Sequence, residues 1–76
     1  MLINSITKDY LFTKRTYTVG EIGKKRVIVD SIRFKNIPQS TLTNVFNEYG
    51  ELEKQLIKTF DYKGKLQNKY KINVNV

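Results

Sequence analysis

From Leu66 to Val76 the chain alternates between apolar and polar residues, and this pattern restricts its fold more than any other feature. A period of two with one polar face is typical of a half-buried antiparallel strand, here with Ile72 on the buried side. The preceding segment, DYKGK, contains the Asp and Gly that favour a turn. The sequence therefore predicts a hairpin in which strand 66–76 folds back on strand 51–61.

Two earlier segments, residues 10–19 and 26–36, are also predicted to be strands. Residues 10–19 are rich in aromatic residues and threonine, which favour strands. A six-residue loop with two glycines separates the segments, so we expect them to form a second hairpin. The apolar positions change parity between Val29 and Ile32, which predicts a β-bulge at Asp30–Ser31.

A short helix is predicted over residues 40–49. Pro38 ends the strand before it, because proline has no N–H to donate to a sheet. The hydroxyl of Ser40 or Thr41 is suited to cap the first turn, and Gly50 is suited to end the helix. The apolar residues of the segment have the spacing of one helix face: Leu42, Val45, Phe46 and Tyr49.

Together these elements predict an α+β fold with the order ββαββ, formed by one small domain over residues 1–76. The helix lies on one face of a four-stranded, mostly antiparallel sheet and connects two parallel strands by a right-handed crossover. The leader MLINSI, with Leu2, Ile3 and Ile6, is expected to cover part of the face that the helix leaves bare. The predicted order of strands across the sheet is 10–19, 26–36, 66–76, 51–61.

Two ten-residue segments in the second half of the chain are alike. FNEYGELEKQ and FDYKGKLQNK each contain an aromatic residue, a glycine and then a leucine at matching positions. Ten residues are far fewer than the unit of a structural repeat, so we interpret the likeness as shared turn chemistry.

The stretch IRFKNI resembles the first strand of the RNA-recognition motif, and the resemblance extends over residues 32–76. The positions that match the family pattern are Ile32, Asn36 and Ile37. Arg33 stands where the family has a base-stacking aromatic residue. The resemblance implies a four-stranded sheet whose open face contacts RNA. On the last strand that face carries polar residues in place of the family's aromatic residues: Lys69, Lys71 and Asn73.

The chain of 76 residues has no cysteine and no histidine. No disulfide or cysteine-based zinc site can therefore stabilise so small a core. Histidine is the commonest metal ligand and general base, and the seven carboxylates are scattered, so we predict no metal, no cofactor and no enzymatic activity. No apolar run approaches the roughly 20 residues of a membrane span, and MLINSITKDY lacks the layout of a signal peptide. We expect a cytoplasmic protein, in the virion or host cytoplasm if it is viral.

Positive charge is the strongest functional signal, with 14 Lys and Arg against seven Asp and Glu. Residues 37–50 hold one acid and no base, so the charge lies on the predicted strands and away from the helix. A basic sheet predicts a protein that grips the phosphates of DNA or RNA with little base readout. An ordinary solvated surface is the competing interpretation. The candidate residues are Lys24, Lys25 and Arg26 at a hairpin tip, and Arg33, Lys35, Lys69 and Lys71 on adjacent strands.

A protein-binding module is the alternative hypothesis, for example a viral inhibitor or assembly factor. The predicted sheet has open edges at 10–19 and 51–61, which invite an added strand from a partner or from a second copy of the chain. A core this small also makes a homodimer or a heteromeric partner expected. Salt separates the two hypotheses, because phosphate binding weakens steeply with ionic strength and an apolar contact does not.

Overall fold

A computed structural model describes residues 3–74 as one antiparallel sheet of six strands. Each strand pairs with its neighbours in sequence, so the sheet is a meander with β1 and β6 at its edges. No helix occurs in residues 3–74. The strands are β1 Ile3–Asp9, β2 Thr13–Ile22, β3 Lys25–Phe34, β4 Ile37–Phe46, β5 Leu52–Phe60 and β6 Leu66–Asn73.

The prediction of an α+β fold is wrong, because the described chain is all-β. Four strands of the structure, β2, β3, β5 and β6, overlap the four predicted ones. β1 arises from the leader that was expected to lie over the sheet, and β4 replaces the helix predicted over 40–49. The predicted order is also wrong, because β6 lies at an edge and not between β3 and β5. Parts of two predicted segments, residues 1–2 and 75–76, lie outside the described chain.

Strand pairing explains why residues 40–46 do not form a helix. Thr41, Thr43 and Val45 occupy alternate positions, and such β-branched residues favour strands and are mediocre helix formers. β4 pairs with β3 on one side and with β5 on the other, so its backbone groups find hydrogen-bond partners in both neighbours. A ten-residue helix, in contrast, is marginal in water unless tertiary packing stabilises it. The central position in the sheet therefore outweighs the helical spacing of the apolar residues.

The turn between β4 and β5 is built around Asn47. Its Oδ1 accepts the backbone N–H of Tyr49 at 2.9 Å and that of Glu51 at 3.0 Å. Gly50 has a positive φ of 81°, which glycine adopts without steric cost. Gly50 therefore closes a β-hairpin and does not end a helix.

The turn between β5 and β6 repeats the same arrangement, with Asp61 in the place of the asparagine. Its Oδ1 accepts the backbone N–H groups of Lys63 and Lys65, both at 2.9 Å. Gly64 has a φ of 83°, and its N–H donates to the carbonyl of Asp61 at 2.9 Å. The interpretation that the two similar segments share their turn chemistry is confirmed.

Substitution of Gly64 by alanine is expected to destabilise the fold more than the same change at Gly50. Both positions have the positive φ that costs a non-glycine residue about 1–2 kcal/mol. A Cβ at Gly64 would also lie 3.2 Å from Cγ2 of Ile37, whereas a Cβ at Gly50 meets nothing within 4 Å. Thermal unfolding of Gly64→Ala and Gly50→Ala, followed by circular dichroism, measures the difference. Equal losses of stability would contradict the close approach of the turn to β4.

The stretch IRFKNI forms the end of β3 and a two-residue turn into β4. Lys35 and Asn36 have φ values of 51° and 67°, as both central residues of a type I′ hairpin turn must have positive φ. Phe34 and Ile37 pair across this turn. The RNA-recognition motif has a helix after this strand, so the resemblance does not extend to the fold.

The β-bulge predicted at Asp30–Ser31 is absent, because β2 and β3 pair there without a shift of register. Val29 and Ile32 lie on opposite faces of the sheet, and both faces carry apolar residues. The register shifts instead between β3 and β4, where Gln39 is the extra residue on β4. Pro38 is tolerated beside it, because bulges accommodate a residue that has no N–H to donate.

No side chain in residues 3–74 is fully buried. The sheet is a single layer of 37 × 25 × 16 Å. Its radius of gyration is 13.6 Å, compared with roughly 11 Å for a compact domain of this length. Even Ile72, which the alternation assigns to the buried side of the last strand, is 44% exposed. Stable domains bury one face of a sheet against a second layer, and residues 3–74 do not supply that layer.

Candidate functional site

The pairing register divides the side chains between two faces of the sheet, because residues directly opposite on antiparallel neighbours point the same way. One face, here called the apolar face, extends to both edges of the sheet, where Ile6 is 61% and Tyr70 53% exposed. Its apolar residues are Ile6, Tyr17, Val19, Ile28, Ile32, Leu42, Ile57, Tyr70 and Ile72.

Polar side chains near the centre of the apolar face bond to one another. Asp30 accepts two hydrogen bonds from Arg15, at 3.1 Å from Nε and 2.7 Å from Nη2. This hydrogen bonding raises the pKa of Arg15 above its usual value. On the neighbouring strands, Gln55 Nε2 donates to Asn44 Oδ1 at 2.9 Å. These groups have partners within the sheet and do not depend on water for them.

The opposite face, here called the lysine face, combines hydroxyl groups with bases. Hydroxyls dominate the first strands, where Ser5 Oγ lies 2.9 Å from Thr18 Oγ1 and Thr7 Oγ1 lies 3.3 Å from Thr16 Oγ1. The hydroxyls continue across β3 and β4 with Ser31, Thr41 and Thr43. The bases on this face are Lys54, Lys58, Lys69 and Lys71 on β5 and β6, and Lys14, Lys25 and Arg33 on β2 and β3.

The four lysines of β5 and β6 lie on one face of two adjacent strands. Lys58 and Lys69 are directly opposite each other, and such a pair of like charges destabilises a sheet. Lys71 lies two residues further along β6, opposite Leu56. None of the four forms a salt bridge with a carboxylate of residues 3–74, although Lys54 and Lys58 are half-buried. This group therefore attracts anions from outside the chain.

The predicted bases at the tip of the β2–β3 hairpin are each paired within the chain. Lys24 Nζ lies 3.5 Å from Glu48 Oε2, and Lys25 Nζ lies 2.8 Å from Glu53 Oε2. Arg26 Nη2 lies 3.6 Å from Glu21 Oε1. The tip flanks an open groove of about 560 Å³ beside the β4–β5 turn. The positive charge of the hairpin tip is largely neutralised by these three carboxylates.

Arg33, Lys35, Lys69 and Lys71 do not lie on adjacent strands, which corrects the predicted binding cluster. Arg33 shares the lysine face with Lys69 and Lys71, but β4 and β5 separate β3 from β6. Lys35 lies in the β3–β4 turn, where its Nζ is 5.1 Å from the ring centroid of Phe12 and 5.5 Å from that of Phe34. Its ammonium is directed to these rings by a cation–π interaction.

Sequence reasoning missed Lys54 and Lys58 as members of the lysine group. Both were treated as interruptions of an apolar strand, although the hairpin between this strand and strand 66–76 was predicted and the structure contains it. The signal was present in the sequence: Lys54, Leu56 and Lys58 alternate in the same way as Lys69 and Lys71 on the next strand. A hairpin between these two strands places both sets on one face.

The described part of the chain contains no group of three or more Asp or Glu residues arranged to hold a metal ion. In the same residues, 3–74, no helix is long and apolar enough to cross a membrane. Comparisons with protein-family models, curated protein sequences and solved structures found no match to the chain.

Proposed function

We propose that the protein is a non-enzymatic nucleic-acid-binding protein that holds the phosphate backbone on its lysine face. The observation that carries the proposal is the directly opposed pair of Lys58 and Lys69. Like charges at such a position cost stability, roughly 0.2–1 kcal/mol, and no nearby carboxylate of the described chain offsets the cost. A bound polyanion removes this repulsion.

The side chains of the lysine face suit contacts with phosphate groups more than contacts with nucleobases. Lysine ammonium groups act as point charges that release the counterions condensed on a nucleic acid. The hydroxyls of β1–β4 add neutral donors to phosphate oxygens, as serine and threonine commonly do in such interfaces. On β5 the lysine face ends in Phe60, which is half-buried, so the lysine group has no open row of aromatic side chains for base stacking and we expect little sequence preference.

The proposal ranks the bases by their ion pairs. Lys54, Lys58, Lys69 and Lys71 form the centre of the interface, and Arg33 extends it across the sheet. Lys14 contributes less, because its Nζ lies 3.8 Å from Asp9. The hairpin tip and Lys35 are peripheral, since their charges already have partners in the chain.

Fluorescence anisotropy with labelled oligonucleotides tests the proposal over a series of salt concentrations. Neutralisation of four to six phosphates predicts that log affinity falls against log salt with a slope of roughly −3 to −5. Oligonucleotides of different sequence and equal length are expected to bind alike. Absence of binding at about 50 mM salt, where electrostatic affinity is strong, would refute the proposal.

A further inference from the structure

We propose that a second copy of this chain packs on the apolar face, so that two sheets form a β-sandwich dimer. The described chain has no fully buried side chain, and the apolar face carries an isoleucine, leucine or tyrosine on each of the six strands of a single layer. Two sheets that face each other about 10 Å apart bury the side chains between them. The dimer supplies the core that residues 3–74 lack on their own.

The size of the apolar face fits this partner. The sheet measures 37 × 25 Å, so one face covers roughly the 800 Å² per partner that a standard stable interface buries. A copy of the chain matches that outline by definition. In a two-fold dimer each face meets itself, which is the commonest symmetry of soluble oligomers.

The charges of the two faces determine which one can meet itself. On the apolar face, Arg15 is paired with Asp30 and Arg26 with Glu21, and Lys8 at the β1 edge forms no salt bridge with residues 3–74, so contact between two such faces brings few unpaired charges together. On the lysine face, the same contact would oppose the lysine group of one chain to that of the other. Repulsion between the two opposed lysine groups makes this second arrangement unfavourable.

Four polar side chains near the centre of the apolar face already have hydrogen-bond partners within the sheet, whereas Thr59 Oγ1 on the same face is buried without one. Asp30 receives both hydrogen bonds from Arg15, and Asn44 accepts one from Gln55. Burial of a polar group is costly only when it lacks such a partner. A covering second layer therefore leaves these groups satisfied.

Sedimentation velocity and thermal unfolding over a hundredfold range of wild-type concentration test the proposal, without nucleic acid. We expect a dimer at high concentration, and a Tm that rises with concentration because association stabilises the folded chain. A folded monomer over the whole range, with a constant Tm, overturns the proposal. Nucleic-acid binding is measured separately, so the two proposals succeed or fail independently.

A matched pair of variants locates the interface. Leu42 and Thr43 are neighbours on β4 that point to opposite faces. Leu42→Asp is expected to raise the dissociation constant of the dimer at least a hundredfold, whereas Thr43→Asp is expected to leave it close to the wild-type value. Dissociation in Thr43→Asp but not in Leu42→Asp overturns the proposal. If Leu42→Asp does not fold, Tyr70→Asp at the exposed edge decides: a weakened dimer supports the proposal, and a dimer of wild-type affinity overturns it.

Discussion

The double substitution Lys69→Glu/Lys71→Glu is expected to abolish nucleic-acid binding and to leave the sheet folded. Both side chains are exposed on edge strand β6, so the fold does not depend on their burial. The new glutamate at position 69 lies directly opposite Lys58 and replaces a repulsive pair by an attractive one. We therefore expect stability to rise, by about 0.5 kcal/mol, while binding is lost. Anisotropy and thermal unfolding on the same sample measure both effects.

The control for this variant is Lys63→Glu/Lys65→Glu, which makes the same change of net charge on the same hairpin. These two lysines lie in the β5–β6 turn and not in the opposed group on the lysine face. The control is expected to weaken binding only moderately, through the lower overall charge. An equal loss of binding in both variants would mean that net charge, and not the lysine face, governs the interaction.

A disulfide introduced by Ser5→Cys/Thr18→Cys is expected to form spontaneously and to stabilise the protein. The two residues are directly opposite on β1 and β2, and their hydroxyl oxygens lie 2.9 Å apart. Opposed residues on antiparallel strands have Cα separations within the range that disulfides tolerate. Closure of a loop of this length stabilises by about 3 kcal/mol in the chain-entropy model. Thiol titration and the Tm of the oxidised and reduced forms provide the measurements.

The matched control places the first cysteine one residue earlier, in Asn4→Cys/Thr18→Cys. Asn4 is opposite Val19 and points to the apolar face, so its side chain cannot reach residue 18 on the lysine face. The chain has no other cysteine, which makes the result unambiguous. Efficient oxidation of the control, or none of the Ser5–Thr18 pair, would contradict the position of β1 in the sheet.

The two proposals assign separate tasks to the two faces of one sheet. A dimer formed through the apolar faces directs a lysine face outward on each side. The two proposals together predict that such a particle holds two nucleic-acid segments, or two turns of one segment, at the same time. Simultaneous engagement raises the overall affinity well above that of one face. We also expect bound nucleic acid to stabilise the folded protein, because under the proposal it binds the native lysine face and relieves its self-repulsion.

The sequence determined those features that depend on neighbouring residues. The alternation after Leu66 is local, and it defined β6 as a strand with lysines on one side. The Asp61–Gly64 turn follows from an acidic side chain that bonds to backbone groups two and four residues later. The same logic applies to Asn47–Gly50, and the likeness of the two segments was the best local evidence against a helix there. Net charge and the absence of cysteine and histidine are equally independent of the fold.

Only the tertiary structure decided the state of residues 40–46 and the order of the strands beyond the two predicted hairpins, β2–β3 and β5–β6. The spacing of Leu42, Val45 and Phe46 fits a helix, but β4 gains hydrogen-bond partners on both sides only when β3 and β5 flank it. The lysine group depends on the same pairing, because Lys58 meets Lys69 only when β5 and β6 are adjacent in this register. Strand order and register arise from contacts between residues distant in sequence, and local patterns carry no information about which distant segment lies opposite.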